Sequence, residues 1–144
     1  MTSARYGNVG GMQSIATCLM FVGDQYGKAE EAMDLYVSLF EDARVLDVER
    51  FGADEEQSGI KRATFRLAGR EFVAMDSGFQ HPFTFTPAMS LVVEFDNEAQ
   101  LDAAFAGLSD GGMVLMPLQA YDFSPRFAWL QDAYGVSWQL NLVP

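Results

Sequence analysis

The chain has 144 residues, 49% hydrophobic and 20% charged, a balance that suits one globular domain and argues against disorder. A net charge of −11 opposes phosphate backbones and anionic bilayers, so neither nucleic acid nor a membrane surface is an expected partner. Cys18 is the only cysteine, which excludes a disulfide framework and a thiolate zinc cluster.

No apolar run approaches the ~20 residues of a membrane span. The opening stretch, MTSARYGNVGGMQS, has no apolar core and is not expected to be a secretory signal. A cytoplasmic protein is the plain expectation, with residues 1–13 as an N-terminal arm and 14–144 as one domain.

In chain order, SIATCLMFVG is a β-type run ending at a glycine turn. In KAEEAMDLYVSLFED, Ala29, Ala32, Met33, Tyr36, Val37 and Phe40 fall on one face of a helix, with Glu30 and Glu31 in its first turn. Three strands are expected next, in ARVLDVERFG, IKRATFRLAG and REFVAMDSG, separated by the acidic ADEEQSG turn and the Ala68–Gly69 corner. FQHPFTFTP is a proline-bounded connector.

The order of elements then repeats. AMSLVVEFD is a strand, and NEAQLDAAFAGL is a helix burying Leu101, Ala104, Phe105 and Leu108, with Asn97 and Gln100 spaced as a capping box. Strands follow in GMVLMPLQA, SPRFAWLQD and GVSWQLNLV. Strand, helix and three strands thus occur twice, at a period of roughly 70 residues. The expected class is α+β: module one at about 14–78, a connector at 79–87 and module two at about 88–144.

Each helix must cover one face of its sheet. In the last strand Trp138, Leu140 and Leu142 are the apolar set, leaving Ser137, Gln139 and Asn141 opposite. In the mid-chain strand Leu91, Val93 and Phe95 leave Ser90, Val92 and Glu94. In the first strand Cys18, Met20 and Val22 are expected toward the helix, leaving Thr17, Leu19 and Phe21. In EFVAMDS, Val73 and Met75 are expected there, leaving Phe72, Ala74 and Asp76. The second faces mix large apolar groups with a few polar ones, which describes a ligand cavity better than a wet surface.

KAEEAMDLYVSLF, FTFTPAMSLVVEFDNEAQLDAAFAGLSDGG and WLQDAYGVSWQLNLVP resemble the PhnB-like branch of the vicinal oxygen chelate (glyoxalase/bleomycin resistance) superfamily, which carries a demethylubiquinone methyltransferase-like label. The similarity runs co-linearly from about Ser14 to Pro144. It implies two βαβββ modules forming a curved, barrel-like mixed sheet around a cavity, with the helices on the outer face, in a homodimer. In the metal-dependent members of that superfamily, four strand positions supply His and Glu ligands to one divalent ion, and the resemblance places these at about Thr17, Asp76, Ser90 and Gln139. Only Asp76 is a good anionic ligand, so no classical metal site and no cofactor are expected, and His81 lies in a connector.

Thr17, Phe21, Asp76, Ser90, Glu94 and Gln139 are therefore the candidate ligand-binding residues. Asp76 is either a cavity anchor or a strand-end carboxylate satisfied by its turn. Glu94 is either a desolvated acid or the partner of Arg62 or Arg66. Gln139 bonds either a ligand or a neighbouring strand. Trp138, Tyr36 and Phe40 are core, and Trp129 has no determined face. The expected function is binding of a small, partly apolar organic molecule. The alternative is a lyase, isomerase or dioxygenase with a divalent ion around Asp76.

Overall fold

A computed structural model describes residues 10, 11 and 13–144. The arm expected over 1–13 therefore lies mostly outside the described residues. The elements are β1 (Thr17–Phe21), α1 (Ala29–Leu39), β2 (Arg44–Arg50), β3 (Ile60–Leu67), β4 (Arg70–Asp76), β5 (Ser90–Phe95), α2 (Glu98–Ser109), β6 (Met113–Tyr121), β7 (Ser124–Gln131) and β8 (Ser137–Leu142). One turn of 3-10 helix, Gly23–Gln25, links β1 to α1.

The strands form two four-stranded mixed sheets, ordered β1-β4-β3-β2 and β5-β8-β7-β6, and no closed barrel. In each, the first strand of the module runs parallel to the last, and the other pairs are antiparallel. Gly69 closes the β3–β4 hairpin at φ 76° beside Ala68 at φ 50°, the left-handed pair that a two-residue hairpin turn requires.

Helix α1 buries Ala29, Ala32, Met33 and Tyr36, the 3–4 spacing of one helical face. At α2 the Asn97 side chain accepts from the Gln100 N–H at 3.0 Å. The reciprocal half of the capping box is missing, because the Gln100 amide turns instead to Glu41 of module one, 2.8 Å away.

The helix-covered faces of both sheets and both helices form one core. Tyr36 of α1 and Phe40, just past its end, pack on Trp138 of β8, with ring centroids 5.0 and 5.4 Å from it. Asp132, in the β7–β8 turn, fastens this junction. It accepts from the Tyr36 hydroxyl (2.5 Å), the Trp138 indole (2.9 Å) and the N–H groups of Tyr134 and Val136 (2.9 and 3.0 Å). Burial pushes its carboxyl above the usual range, and the four donors oppose that rise. Tyr134 adds a second tie by donating to Glu31 of α1 at 2.6 Å.

The expected parity holds in β5 and β8 and is reversed in β1 and β4. Leu19 and Phe21 are in the core, whereas Cys18 is exposed. Thr17 pairs with Phe72, Leu19 with Ala74 and Phe21 with Asp76, so all six share the helix-covered face. Phe21 lies edge-on to Phe85 of the connector and Tyr134 of module two, at 5.2 and 6.1 Å. Cys18-Leu19-Met20-Phe21 of β1 and Phe72-Val73-Ala74-Met75 of β4 are apolar on both parities, so alternation there carried no information about which half turns inward.

Candidate functional site on the open face of the second sheet

Asp76 is 2% exposed and belongs to the start of α1. The preceding residue, Lys28, makes no side-chain cap. Instead Asp76 Oδ1 accepts from the Gly27 and Ala29 N–H groups (2.8 and 3.2 Å), while Oδ2 accepts from the Ile60 N–H (2.9 Å). A carboxylate at a helix N-terminus satisfies orphan donors and complements the dipole. Asp76 is thus a remote cap whose lone pairs are engaged, which corrects its placement in a cavity. Phe21, fully buried in the core, is corrected with it, whereas Thr17 is half-buried and, together with Ser90, borders two clefts of about 210 and 460 Å³.

Ser90, Glu94 and Gln139 do lie on one surface, the face of the second sheet that no helix covers. Register builds this surface in rows. Val92, Gln139, Trp129 and Met116 are successive cross-strand neighbours through β5, β8, β7 and β6. Glu94, Asn141, Phe127 and Gln119 form the next row, and Ser90, Ser137, Gln131 and Met113 the one before. Phe123, from the β6–β7 turn, stands at one edge with its ring 4.9 Å from Phe127. Together these side chains shape a groove of about 420 Å³ lined by Val92, Glu94, Met116, Phe123, Phe127, Trp129, Gln139 and Asn141. It is open to solvent, with Val92 59% and Phe123 65% exposed, and is not the enclosed hollow expected from alternation.

Two polar chains stiffen the groove floor. Ser90 and Ser137 hydroxyls meet at 2.7 Å, and Ser137 also accepts from the Trp129 indole at 2.9 Å, which fixes that ring. The Ser124 hydroxyl donates to Asn141 Oδ1, and Asn141 Nδ2 donates to Glu94 Oε2 at 2.6 Å. Glu94 therefore bonds its strand neighbour. Arg62 and Arg66 belong to β3 of the other sheet, and the Arg66 guanidinium pairs with Asp42 at 3.4 Å. Between the two chains, the Gln139 amide has no hydrogen-bond partner among the described residues.

The model of the 3-demethylubiquinone-9 3-methyltransferase family matches residues 13–141. The PhnB protein from Bacillus cereus is 47% identical over 91% of this chain and 100% of its own, with a TM-score of 0.85. The chain belongs to the PhnB-like, 3-demethylubiquinone-9 3-methyltransferase family. Protein PA1353 from Pseudomonas aeruginosa shares the fold at 22% identity (90% of this chain, 98% of that one, TM-score 0.74). So does a glyoxalase/bleomycin resistance protein from Albidiferax ferrireducens T118, at 17% identity (91% and 100%, TM-score 0.58). No curated protein matches the sequence.

The divalent ion implied by the sequence resemblance to the vicinal oxygen chelate superfamily does not fit the residues present in this PhnB-like chain. Thr17 and Asp76 are on the helix-covered face, Ser90 and Gln139 are on the open face, and Asp76 is already engaged by three N–H groups. Among the described residues, no group of three or more His, Cys, Asp or Glu side chains could hold a metal. The family label also implies an adenosyl co-substrate. At the β1–α1 connection the Gly27 and Ala29 N–H groups that could meet such a group are already given to Asp76.

A larger cleft of about 520 Å³ runs between the end of α1 and β5, but its Glu41 and Gln100 bond each other. His81 joins Ser77 at 2.8 Å and lies against Phe83, which pins the connector. The alternating half of β8 pointed to the groove from sequence. Trp129, Phe127 and Met116 carry no such signal, because only strand register sets Trp129 beside Gln139, Phe127 beside Asn141 and Met116 beside Trp129.

Proposed function

We propose that this PhnB-like protein binds a small, planar, partly apolar organic molecule in the groove on the open face of its second sheet. The unpaired Gln139 amide, flanked in one row by Val92 and Trp129, carries the reading. A planar molecule lying on Trp129 and Phe127 would bury apolar area while the amide fixes its orientation. A concave, mostly apolar wall with few polar groups is the usual composition of ligand sites, and about 420 Å³ falls within their range. Large exposed side chains outside the groove, such as Met89, Met113 and Val114, also support a homodimer. None of the described helices is long and apolar enough to cross a membrane, which is compatible with the cytoplasmic setting we infer.

Trp129 is its own reporter. Planar aromatic and polyketide-like compounds titrated into the protein should quench its fluorescence saturably, and the change should vanish in Trp129→Phe. If no compound alters Trp129 emission or raises the melting temperature, the groove is not a ligand site. Light scattering after size exclusion should give twice the chain mass, and a monomer would overturn the homodimer.

A further inference from the structure

Resting on that reading of the groove, we propose that its ligand is an organic cation, a planar aromatic ring system bearing a protonated amine held over Trp129 and Phe127 with its charge toward Glu94.

Among the described residues, Glu94 is the only charged side chain lining the groove. It keeps acceptor capacity, because only Oε2 is engaged, by the neutral Asn141 amide. It has no ion-pair partner among the described residues. From residue 88 to the C-terminus the sequence has one Lys or Arg, Arg126. That guanidinium is committed to Asp102 of α2 at 2.7 Å, on the helix-covered side of β7. The groove lining itself therefore holds no cation. Arg70 of β4 borders a neighbouring cleft of about 460 Å³ that Val92 and Glu94 also border, and it makes no ion pair with Glu94 among the described residues.

Aromatic faces carry negative quadrupole potential, so Trp129, Phe127 and Phe123 act in the same sense as the carboxylate. A neutral ligand covering Glu94 would strip water from an unpaired charge without replacing it. An anionic ligand would meet both Glu94 and the field of a chain carrying −11. A cation is repelled by neither, and its own charge supplies the missing partner.

Three acridines of one ring size separate the possibilities at mildly alkaline pH: 9-aminoacridine (cation), acridine (neutral) and acridine-9-carboxylate (anion). Each is titrated against Trp129 emission. The expected order is cation, neutral, anion, with the cation about tenfold tighter than acridine and weakened by added salt. Glu94 is exposed, so Glu94→Gln should fold normally and reduce 9-aminoacridine to the affinity of acridine. Equal binding of all three would overturn the charge selection while leaving the groove reading intact. A cation preference that survives in Glu94→Gln would overturn the role of this carboxylate. Absence of Trp129-dependent binding by any of the three would overturn both.

Discussion

Tyr36 of α1 donates its hydroxyl to Asp132 of the β7–β8 turn at 2.5 Å, across 96 residues of sequence and from one module to the other. Asp132 is buried, and the same carboxylate oxygen also accepts the Trp138 indole. The hydroxyl is therefore one of few donors that compensate a desolvated charge. Tyr36→Phe should cost about 1–3 kcal/mol in urea unfolding.

The same contact sets an alkaline limit. Burial first, and the Asp132 charge second, hold the Tyr36 phenol well above its ordinary value. A raised folded-state value contributes stability that is fully present below the unfolded value, about 10, and lost as pH rises through the folded one. Above about pH 10 the unfolded chain releases this proton and the folded chain keeps it. Stability should then fall by up to about 1.4 kcal/mol per pH unit from this group alone. Tyr36→Phe should flatten that decline, and an unchanged slope in urea midpoints between about pH 9 and 11 would refute the assignment.

Asp76→Ala would leave the N–H groups of Gly27, Ala29 and Ile60 without their acceptor in a buried site. A loss of about 3 kcal/mol or more is expected, with early hydrogen exchange in the first turn of α1. Gly59→Ala tests the same cap from the other side. A Cβ there would lie 2.5 Å from Asp76 Oδ2, at a backbone φ of +90°. It too should destabilise, by about 2 kcal/mol. A stable Asp76→Ala protein that had lost only ligand binding would restore the cavity role.

Gln139→Ala removes a half-buried amide that no neighbour uses. Stability should stay within about 0.5 kcal/mol while affinity for a groove ligand falls about tenfold. Unfolding of this variant would make Gln139 structural.

Trp138→Ala should cost about 3–5 kcal/mol, because the ring is 1% exposed between Tyr36 and Phe40 and bonds Asp132. Trp129→Ala should cost less and act mainly on binding. Comparable losses at the two positions would contradict their opposite faces.

Much of this was legible in one dimension. The two βαβββ modules followed from periodicity and turns, since a helix repeats its apolar face every three to four residues and a strand every two. The inward set of β5 and β8 was readable because Leu91, Val93, Phe95 and Trp138, Leu140, Leu142 alternate with Ser90, Glu94, Ser137, Gln139 and Asn141. In β1 and β4 both parities are apolar, so hydrophobicity could not choose between Cys18 and Phe21, nor between Val73 and Ala74.

Sequence by itself thus determined the order of elements, the family and the polar half of the closing strand, all of which depend on residues near one another along the chain. Tertiary structure alone decided that Asp76 caps a helix begun 47 residues earlier, and that Trp129 and Phe127 stand beside Gln139 and Asn141. Those relationships depend on strand register and on which backbone donors a buried carboxylate meets. Neither leaves a periodic trace in the chain.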